Sequence, residues 1–262
     1  MNKISLKDFL DKKVDEYNQP FFIQDDPIGI PHRFTKKQDI EIAGFFAAVL
    51  AWGNRKSIIN SCDRLLTWMH NAPYDFIMHF EEKDLIPFMN FVHRTFNATD
   101  LFHFFNALKY HYRVLGNKSF ETAFSQWMQP ADQNVENALN GFHHYFFSTK
   151  IDDDYPRRTI KHIAAPFKKS ACKRLNMYLR WMVRHDNKGV DFGVWKKISP
   201  SQLICPVDLH VARVAKRFNL LHRKQTDWLA AVELTDYLRT LDKDDPVKYD
   251  FALFGLGVID KF

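Results

Sequence analysis

Glycine, cysteine and long apolar runs are all scarce in this chain of 262 residues. It holds only 9 glycines, and no stretch alternates apolar and polar residues for long enough to indicate a sheet. The three cysteines, Cys62, Cys172 and Cys205, are widely spaced and too few for a four-cysteine iron–sulfur or zinc site. No apolar run approaches the roughly 20 residues that cross a bilayer, and the N-terminus lacks a signal-peptide core. These absences favour a cytoplasmic protein without a membrane partner.

Helical spacing of apolar residues dominates what is present, and it predicts an all-α fold. Hydrophobic residues make up 46% of the chain and include 25 phenylalanines, enough for one large core or two interlocked lobes. Because no repeat or linker interrupts the pattern, we expect residues 1–262 to form a single helical unit. Thr35 and Gln38 are predicted to form a capping box at the start of the most apolar helix. The predicted helices lie near residues 5–17, 36–52, 54–69, 99–115, 119–128, 134–147, 171–184, 208–218, 226–241 and 246–257.

Acidic residues are missing from one long stretch, between Tyr155 and Arg184. The stretch carries nine cations, so the remainder has a net charge of −3 within a chain of net charge +6. One basic zone on an otherwise slightly acidic body is typical of proteins that bind a phosphate backbone. The alternative is a solvated surface helix with a basic loop. The nine cations are Arg157, Arg158, Lys161, Lys168, Lys169, Lys173, Arg174, Arg180 and Arg184.

One helix in this stretch begins with a lysine, where the helix dipole disfavours a cation. Ser170 is predicted to be the N-cap, which places Lys173 at the third helical position. The dipole, the neighbouring charges of Lys169 and Arg174, and burial in a cleft would all favour a neutral, nucleophilic amine. Lys168 or Lys169 would replace Lys173 if the helix began earlier. A solvent-facing lysine on a basic helix is the alternative.

A second helix is predicted to begin after Asp208, which follows Pro206 at the N-cap position. Capping would hold this carboxylate fixed and deprotonated, as a catalytic carboxylate also needs to be. Its helix turns Val211 inward and His210 outward. The sequence therefore offers an amine and an acid, each at the start of a helix.

These two helix starts resemble the helix-hairpin-helix DNA glycosylase superfamily. There a lysine opens one helix, and an aspartate in a V-D-x-H-V-x-R-V-like motif opens a later one, similar to Val207-Asp208-Leu209-His210-Val211-Ala212-Arg213-Val214 here. The sequence AVLAWGNRKSI at 48–58 is similar to the corner where endonuclease III-like enzymes wedge a polar residue, here Asn54, into the duplex. KYDFALFGLG at 248–257 resembles the closing helix of that fold. The longer lysine-to-aspartate interval is more similar to archaeal 8-oxoguanine DNA glycosylases, and the nearest resemblance is to a bacterial family at the superfamily's edge.

The chain also departs from the superfamily pattern. The usual hairpin, L-P-G-[VI]-G-x-K-T-A, is replaced by Ala165-Pro166-Phe167-Lys168-Lys169-Ser170-Ala171-Cys172-Lys173, which keeps the proline and the lysine without either glycine. The backbone phosphate site that those glycines permit is therefore in doubt, and the C-terminal iron–sulfur cysteines are absent. The resemblance implies two interlocked helical lobes with a degenerate hairpin and a cleft between them. The expected lobes are a bundle at 36–165 and a catalytic lobe at 1–35 plus 166–262.

The resemblance implies a base-excision repair glycosylase that binds double-stranded DNA as a monomer, without a metal or cofactor. Lys173 would attack the sugar of a flipped, damaged nucleotide, such as an oxidised purine, while Asp208 stabilises the developing positive charge. Whether an abasic-site lyase step follows is left open. The residues expected to bind DNA are Asn54, Arg55, Lys56, Lys168, Lys169, Arg174, His210 and Arg213. Trp52, Trp181 and Trp195 are candidates for stacking on the flipped base, with burial in the core as the alternative for each.

Two other functions also fit the sequence. A DNA-binding protein of the same fold but without chemistry is favoured by the loss of the hairpin glycines, and disfavoured by retention of both Lys173 and Asp208. A His-Asp metal phosphohydrolase would use His162, His185, Asp186 and a later aspartate as metal ligands on an all-α scaffold.

Overall fold

The fold is all-α, apart from one short antiparallel strand pair. The computed structural model describes residues 3–148 and 157–262. Tyr155, the predicted beginning of the basic stretch, lies outside them. Within the described ranges, no helix is both long enough and apolar enough to cross a membrane.

The helices follow one another through the whole described chain. The α-helices are α1 (Lys3–Tyr17), α2 (Phe21–Gln24), α3 (Lys37–Leu50), α4 (Arg55–Trp68), α5 (Pro73–His79), α6 (Ala98–Lys109), α7 (Glu121–Ser125), α8 (Glu136–Phe147), α9 (Lys173–Val183), α10 (Leu209–Arg217), α11 (Trp228–Arg239) and α12 (Tyr249–Val258). The 3₁₀ helices are Pro27–Gly29, Pro31–Arg33, Glu82–Phe88, Arg157–His162, Pro166–Lys168, Pro200–Gln202 and Pro246–Lys248, and a π-helical turn spans Tyr110–Val114. The strands β1 (Val92–His93) and β2 (Phe96–Asn97) pair antiparallel, with Val92 opposite Asn97.

The chain divides into two compact units. Unit 1 comprises the described residues of Met1–Gln24, Met128–Leu139 and Ala165–Phe262, and unit 2 those of Asp25–Trp127 and Asn140–Ala164. The predicted lobes differ from these units at 25–35, at 128–139 and at residue 165. The second segment belongs to unit 1 because Val135 N donates to Gln202 O at 3.1 Å, and Trp228 Nε1 donates to Glu136 Oε2 at 2.8 Å.

The core of unit 2 is built around α3, whose residues from Ile40 to Leu50 are all buried. Phe45 is at the centre of an aromatic cluster, with its ring 5.1 Å from that of Phe120 and 5.7 Å from that of Phe104. The predicted capping box at the start of this helix is wrong. The N-cap is Lys36, without a side-chain cap, because Gln38 instead donates to Lys118 O at 2.8 Å.

Unit 1 is built around α12, which packs against α1 and α10. The approach to α1 is close, since a Cβ atom added at Gly255 would lie 2.2 Å from the ring of Tyr17. Towards α10, a Cβ added at Gly257 would lie 3.0 Å from His210 Cβ. Two helix contacts that admit almost no side chain therefore fix α12 in place.

Part of the predicted basic surface is buried inside unit 1. Arg180 and Arg184 are each 3% exposed and pair with carboxylates. Both arginines bind Asp191, and Arg184 also binds Asp245. A buried arginine must be paired, because desolvation of an isolated charge is costly. The interpretation of these two residues as surface cations was wrong.

Candidate active site

The helix that carries Lys173 begins later than its sequence predicts. Its N-cap is Cys172, which has a left-handed backbone (φ 51°) and makes no side-chain cap. The Ser170 hydroxyl instead accepts a hydrogen bond from Cys172 N at 3.1 Å, one turn before the helix. Lys173 is therefore the first helical residue rather than the third, and its side chain lies at the N-terminus of α9.

The degenerate hairpin keeps two left-handed residues although it contains no glycine. These are Lys169 (φ 60°) and Cys172 (φ 51°), and between them Ser170 forms an isolated β-bridge with Asp227. A left-handed conformation costs a residue with a Cβ about 1–2 kcal/mol, so the surrounding fold must impose it. Loss of the glycines has thus not removed positive φ from this hairpin. Lys168 and Lys169 are exposed here, and partial burial lowers the pKa of Lys168.

Asp208 is the N-cap of α10, which confirms the prediction made from its position. Its Oδ1 accepts hydrogen bonds from His210 N and Val211 N, each at 2.9 Å. These two bonds satisfy amides that would otherwise be unpaired at the helix start. They also fix the carboxylate, so that its second oxygen, Oδ2, has a defined direction.

That second oxygen faces Lys173. Lys173 Nζ lies 3.9 Å from Asp208 Oδ2, and the two side chains are 30% and 24% exposed. The separation is at the outer limit of an ion pair and longer than a hydrogen bond. The structure therefore brings the predicted amine and acid together, with neither group sealed in the core.

A buried carboxyl group lies close enough to sense both members of this pair. Asp250 on α12 is 5% exposed, and burial raises its pKa to about 6, further raised by Asp208 and opposed by Arg180 and Lys173. Arg180 Nη1 donates to Asp250 Oδ2, and Cys205 Sγ lies 4.0 Å from Asp250 Oδ1. Sequence reasoning missed Asp250. The available signal was a carboxylate among the apolar residues of KYDFALFGLG.

The remaining predicted DNA-binding residues of unit 1 differ in accessibility. His210 is exposed. Arg213 is exposed as well, but its Nη2 donates to Gly257 O at 2.8 Å. Arg174 is half-buried, and burial lowers the pKa of its guanidinium to about 10. Arg174, predicted to bind DNA, is therefore only partly accessible.

Two of the three tryptophans proposed to stack on a base are part of the core. Trp181 is 0% and Trp195 is 1% exposed, and the Trp195 ring packs edge-on against Tyr178 at 5.4 Å. A side chain without accessible surface cannot contact a nucleotide, so this prediction was wrong for both. Their positions are explained by apolar packing, the alternative that the sequence left open. Trp52 is half-buried in unit 2.

The polar corner at 54–56 belongs to unit 2. Asn54 is the N-cap of α4, and its Oδ1 accepts hydrogen bonds from Lys56 N at 2.9 Å and Ser57 N at 3.3 Å. All three residues of the corner, Asn54, Arg55 and Lys56, are exposed. The corner therefore presents two cations and the amide of a capping side chain to solvent.

Two of the three named ligands of the expected His-Asp metal site are engaged elsewhere, and the third, His185, is exposed. Asp186 binds Arg184 at 2.7 Å and Asn18 at 2.6 Å, while His162 Nε2 faces Asp100 at 3.3 Å. Within residues 3–148 and 157–262, no group of three or more His, Cys, Asp or Glu side chains is arranged to hold a metal ion. Nothing in the described chain supports the metal phosphohydrolase alternative.

Comparison with known proteins gives a family without an assigned activity. Residues 26–259 match a family described as "Protein of unknown function (DUF2400)". The chain belongs to this DUF2400 family. No curated protein and no solved structure matches it. The function of this DUF2400 member must therefore be argued from the Lys173–Asp208 pair and the surfaces around it.

Proposed function

We propose that the protein is a base-excision DNA glycosylase that uses Lys173 as its nucleophile and Asp208 as its carboxylate. The observation that carries the proposal is the 3.9 Å approach of Lys173 Nζ to Asp208 Oδ2, with both side chains partly exposed. A lysine nucleophile needs a nearby group that accepts its proton, and a sugar cation needs a nearby negative charge. One fixed carboxylate beside one amine meets both needs.

The chemistry assigned to the pair is a displacement at C1′ of a flipped nucleotide. The C1′–N glycosidic bond breaks and its electrons leave with the damaged base, which takes up a proton. Lys173 Nζ forms the new bond to C1′, and Asp208 stabilises the intervening positive charge and accepts the lysine proton. Opening of the sugar ring, with cleavage of C1′–O4′ and protonation of O4′, then gives an imine. If C2′ next loses a proton, the 3′-phosphate leaves and the strand is cleaved.

Binding of duplex DNA is supported by cations close to this pair. Lys168 and Lys169 are exposed on the hairpin that leads directly into α9. They provide charges that release counterions from a phosphate backbone. We further propose that the protein acts in the cytoplasm as a monomer without a metal or cofactor, on a substrate of the oxidised-purine or abasic class. Its mass in solution, measured with and without duplex, tests the monomer.

The test is to trap the imine with borohydride. The protein is incubated with duplexes that contain 8-oxoguanine or an abasic site, and hydride addition to the imine carbon gives a stable protein–DNA adduct. We expect the wild-type chain and Lys168→Ala and Lys169→Ala variants to form it, whereas Lys173→Ala does not. Circular dichroism of each variant shows whether it is folded. An adduct that persists in Lys173→Ala but is lost in Lys168→Ala or Lys169→Ala would show that Lys168 or Lys169, and not Lys173, is the nucleophile.

A DNA-binding protein of the same fold without chemistry is the second candidate. The positive φ values retained at Lys169 and Cys172 favour it, since they preserve hairpin geometry independently of the catalytic pair. Tight duplex binding with no adduct on either lesion would select this candidate over the glycosylase. Affinity that does not fall between 50 and 200 mM salt would reject both.

A further inference from the structure

The β1–β2 hairpin of unit 2 is rigidly held but has an exposed tip. Arg64 Nη2 donates to Val92 O at 3.2 Å, and Ser61 Oγ shares a hydrogen bond of 2.9 Å with His93 Nδ1. Across the turn, Arg158 Nη2 donates to Thr95 O at 2.7 Å. The hairpin is thus held at β1 and at the backbone of Thr95, while the side chains of Arg94 and Thr95 at its tip face solvent.

Arg94 packs against Trp52 and Gly53, the two residues just before the Asn54 corner; this packing site is called its seat. Its backbone is left-handed (φ 56°), and its guanidinium carbon lies 5.3 Å from the centre of the Trp52 ring. The neighbouring residue, Gly53, has φ 108°, and a Cβ added there would lie 2.5 Å from Arg94 Nη1. A side chain at position 53 would push the guanidinium out of this position, and a φ of 108° itself favours glycine.

The charge of Arg94 has no carboxylate partner among the described residues. The described arginine–carboxylate pairs of unit 2 join Arg33 to Asp63 and Arg158 to Asp100, and none within 3–148 and 157–262 includes Arg94. The exposed residues Arg55 and Lys56 follow Gly53 closely in sequence. An exposed guanidinium held over the indole of Trp52, a few residues before Arg55 and Lys56 in sequence, is positioned to receive an anion from outside the protein.

We propose that Arg94, seated on Trp52 and Gly53, binds a backbone phosphate of duplex DNA beside the Asn54–Lys56 corner. The inference rests on the proposed DNA binding but not on the chemistry of Lys173. A guanidinium presents a planar fork of donors that matches two phosphate oxygens, and its hydrogen bonds to an anion are stronger than neutral ones. Contact with Trp52 and Gly53 restricts the guanidinium before DNA arrives, which reduces the entropy lost on binding.

The experiment measures duplex affinity by fluorescence anisotropy at several salt concentrations. Arg94→Gln is expected to weaken binding by roughly tenfold or more. It should also reduce the magnitude of the slope of log K against log salt by about 0.9, the value for one phosphate contact. The matched control is Arg113→Gln. Arg113 is also exposed and donates to a backbone oxygen, Met78 O at 3.0 Å, but it follows α6, roughly 20 Å along the helix from the hairpin. Its variant should bind like wild type.

A second variant tests the seat without removing the charge. Gly53→Ala would place a Cβ 2.5 Å from the present position of Arg94 Nη1 and displace the guanidinium, so it should weaken duplex binding although Arg94 is intact. Wild-type affinity and salt slope in a folded Arg94→Gln protein would overturn the proposal for Arg94 while leaving the glycosylase proposal standing. Failure of the wild-type chain to bind duplex would overturn both. A wild-type chain that binds duplex but forms no borohydride adduct would overturn the glycosylase proposal and leave the proposal for Arg94 to its own affinity test.

Discussion

Arg180 and Asp250 join α9 to α12 through a buried hydrogen bond: Arg180 Nη1 donates to Asp250 Oδ2 at 2.5 Å, although 70 residues separate them in sequence. Arg180 also pairs with Asp191, and its guanidinium lies 4.3 Å from the ring of Phe251. Lys173 begins the same helix α9, so this bond fixes the element that presents the amine. The same arginine that sequence reasoning placed on a DNA-binding surface is thus part of the framework beneath the site.

Removal of Arg180 should destabilise the protein strongly. Arg180→Leu would leave Asp250 and Asp191 buried without this partner, which typically costs about 3–5 kcal/mol. Urea unfolding measures the loss. The control is Arg33→Leu, because the Arg33–Asp63 pair is 46% and 41% exposed and such surface pairs contribute about 1 kcal/mol or less. Equal losses in the two variants would contradict the structural role of Arg180.

Asp250 should make stability depend on pH between about 4 and 6. Its pKa is raised from 3.8 to about 6 in the folded protein, so the folded state binds this proton more tightly than the unfolded chain. The stabilisation is complete below the unfolded pKa and is lost as pH rises through the folded one. The total is about 3 kcal/mol at 1.36 kcal/mol per pKa unit.

The variant that isolates this contribution is Asp250→Asn, which keeps the shape of the neutral acid. The groups that act on Asp250 are Arg180, Lys173, Asp208 and Cys205, and all remain in the variant. Relative to wild type, its free energy of unfolding should rise by about 2–3 kcal/mol between pH 4 and pH 7. If the free energies of unfolding of wild type and variant change in parallel with pH over this range, Asp250 does not titrate there.

Two substitutions of Asp208 should distinguish its role as a helix cap from its proposed role in catalysis. Asn is as good an N-cap as Asp, so Asp208→Asn should retain near-wild-type stability yet lose the borohydride adduct. Asp208→Ala should lose the borohydride adduct and also about 1–2 kcal/mol of stability, because His210 N and Val211 N lose their acceptor. Thermal unfolding and trapping are measured on the same samples. Full adduct formation by Asp208→Asn would show that the carboxylate charge is not needed.

The contact between α1 and α12 should tolerate no side chain at Gly255. Gly255→Ala would place a Cβ 2.2 Å from the Tyr17 ring, and overpacking of this kind costs about 1–3 kcal/mol. Val258→Ala, on the same helix but only half-buried, is the control, with a smaller expected loss. If Gly255→Ala unfolds at the wild-type urea concentration, the two helices are farther apart than the structure has them.

The sequence predicted the long helices well because their apolar spacing is a local property. It did not predict the short α5 or the β1–β2 hairpin, because elements of two to seven residues show few periods of their pattern. The five-residue α7 was predicted, but as a longer helix at 119–128. The Thr35–Gln38 cap failed for a different reason. The Gln38 side chain had a tertiary acceptor, Lys118 O, that no local pattern reveals.

The sequence by itself determined the all-α fold and the cap at Asp208, because both depend on residues within a few positions of one another. Only tertiary structure decided that Lys173 meets Asp208, that Arg180 and Trp181 are buried, and that Arg94 rests on Trp52. Each of these depends on which helix packs against which, and residue type alone does not set the neighbour. An arginine paired with a buried carboxylate and an arginine that faces solvent look identical in the sequence. Only the tertiary structure shows which of them is buried and therefore needs a partner to offset its desolvation cost.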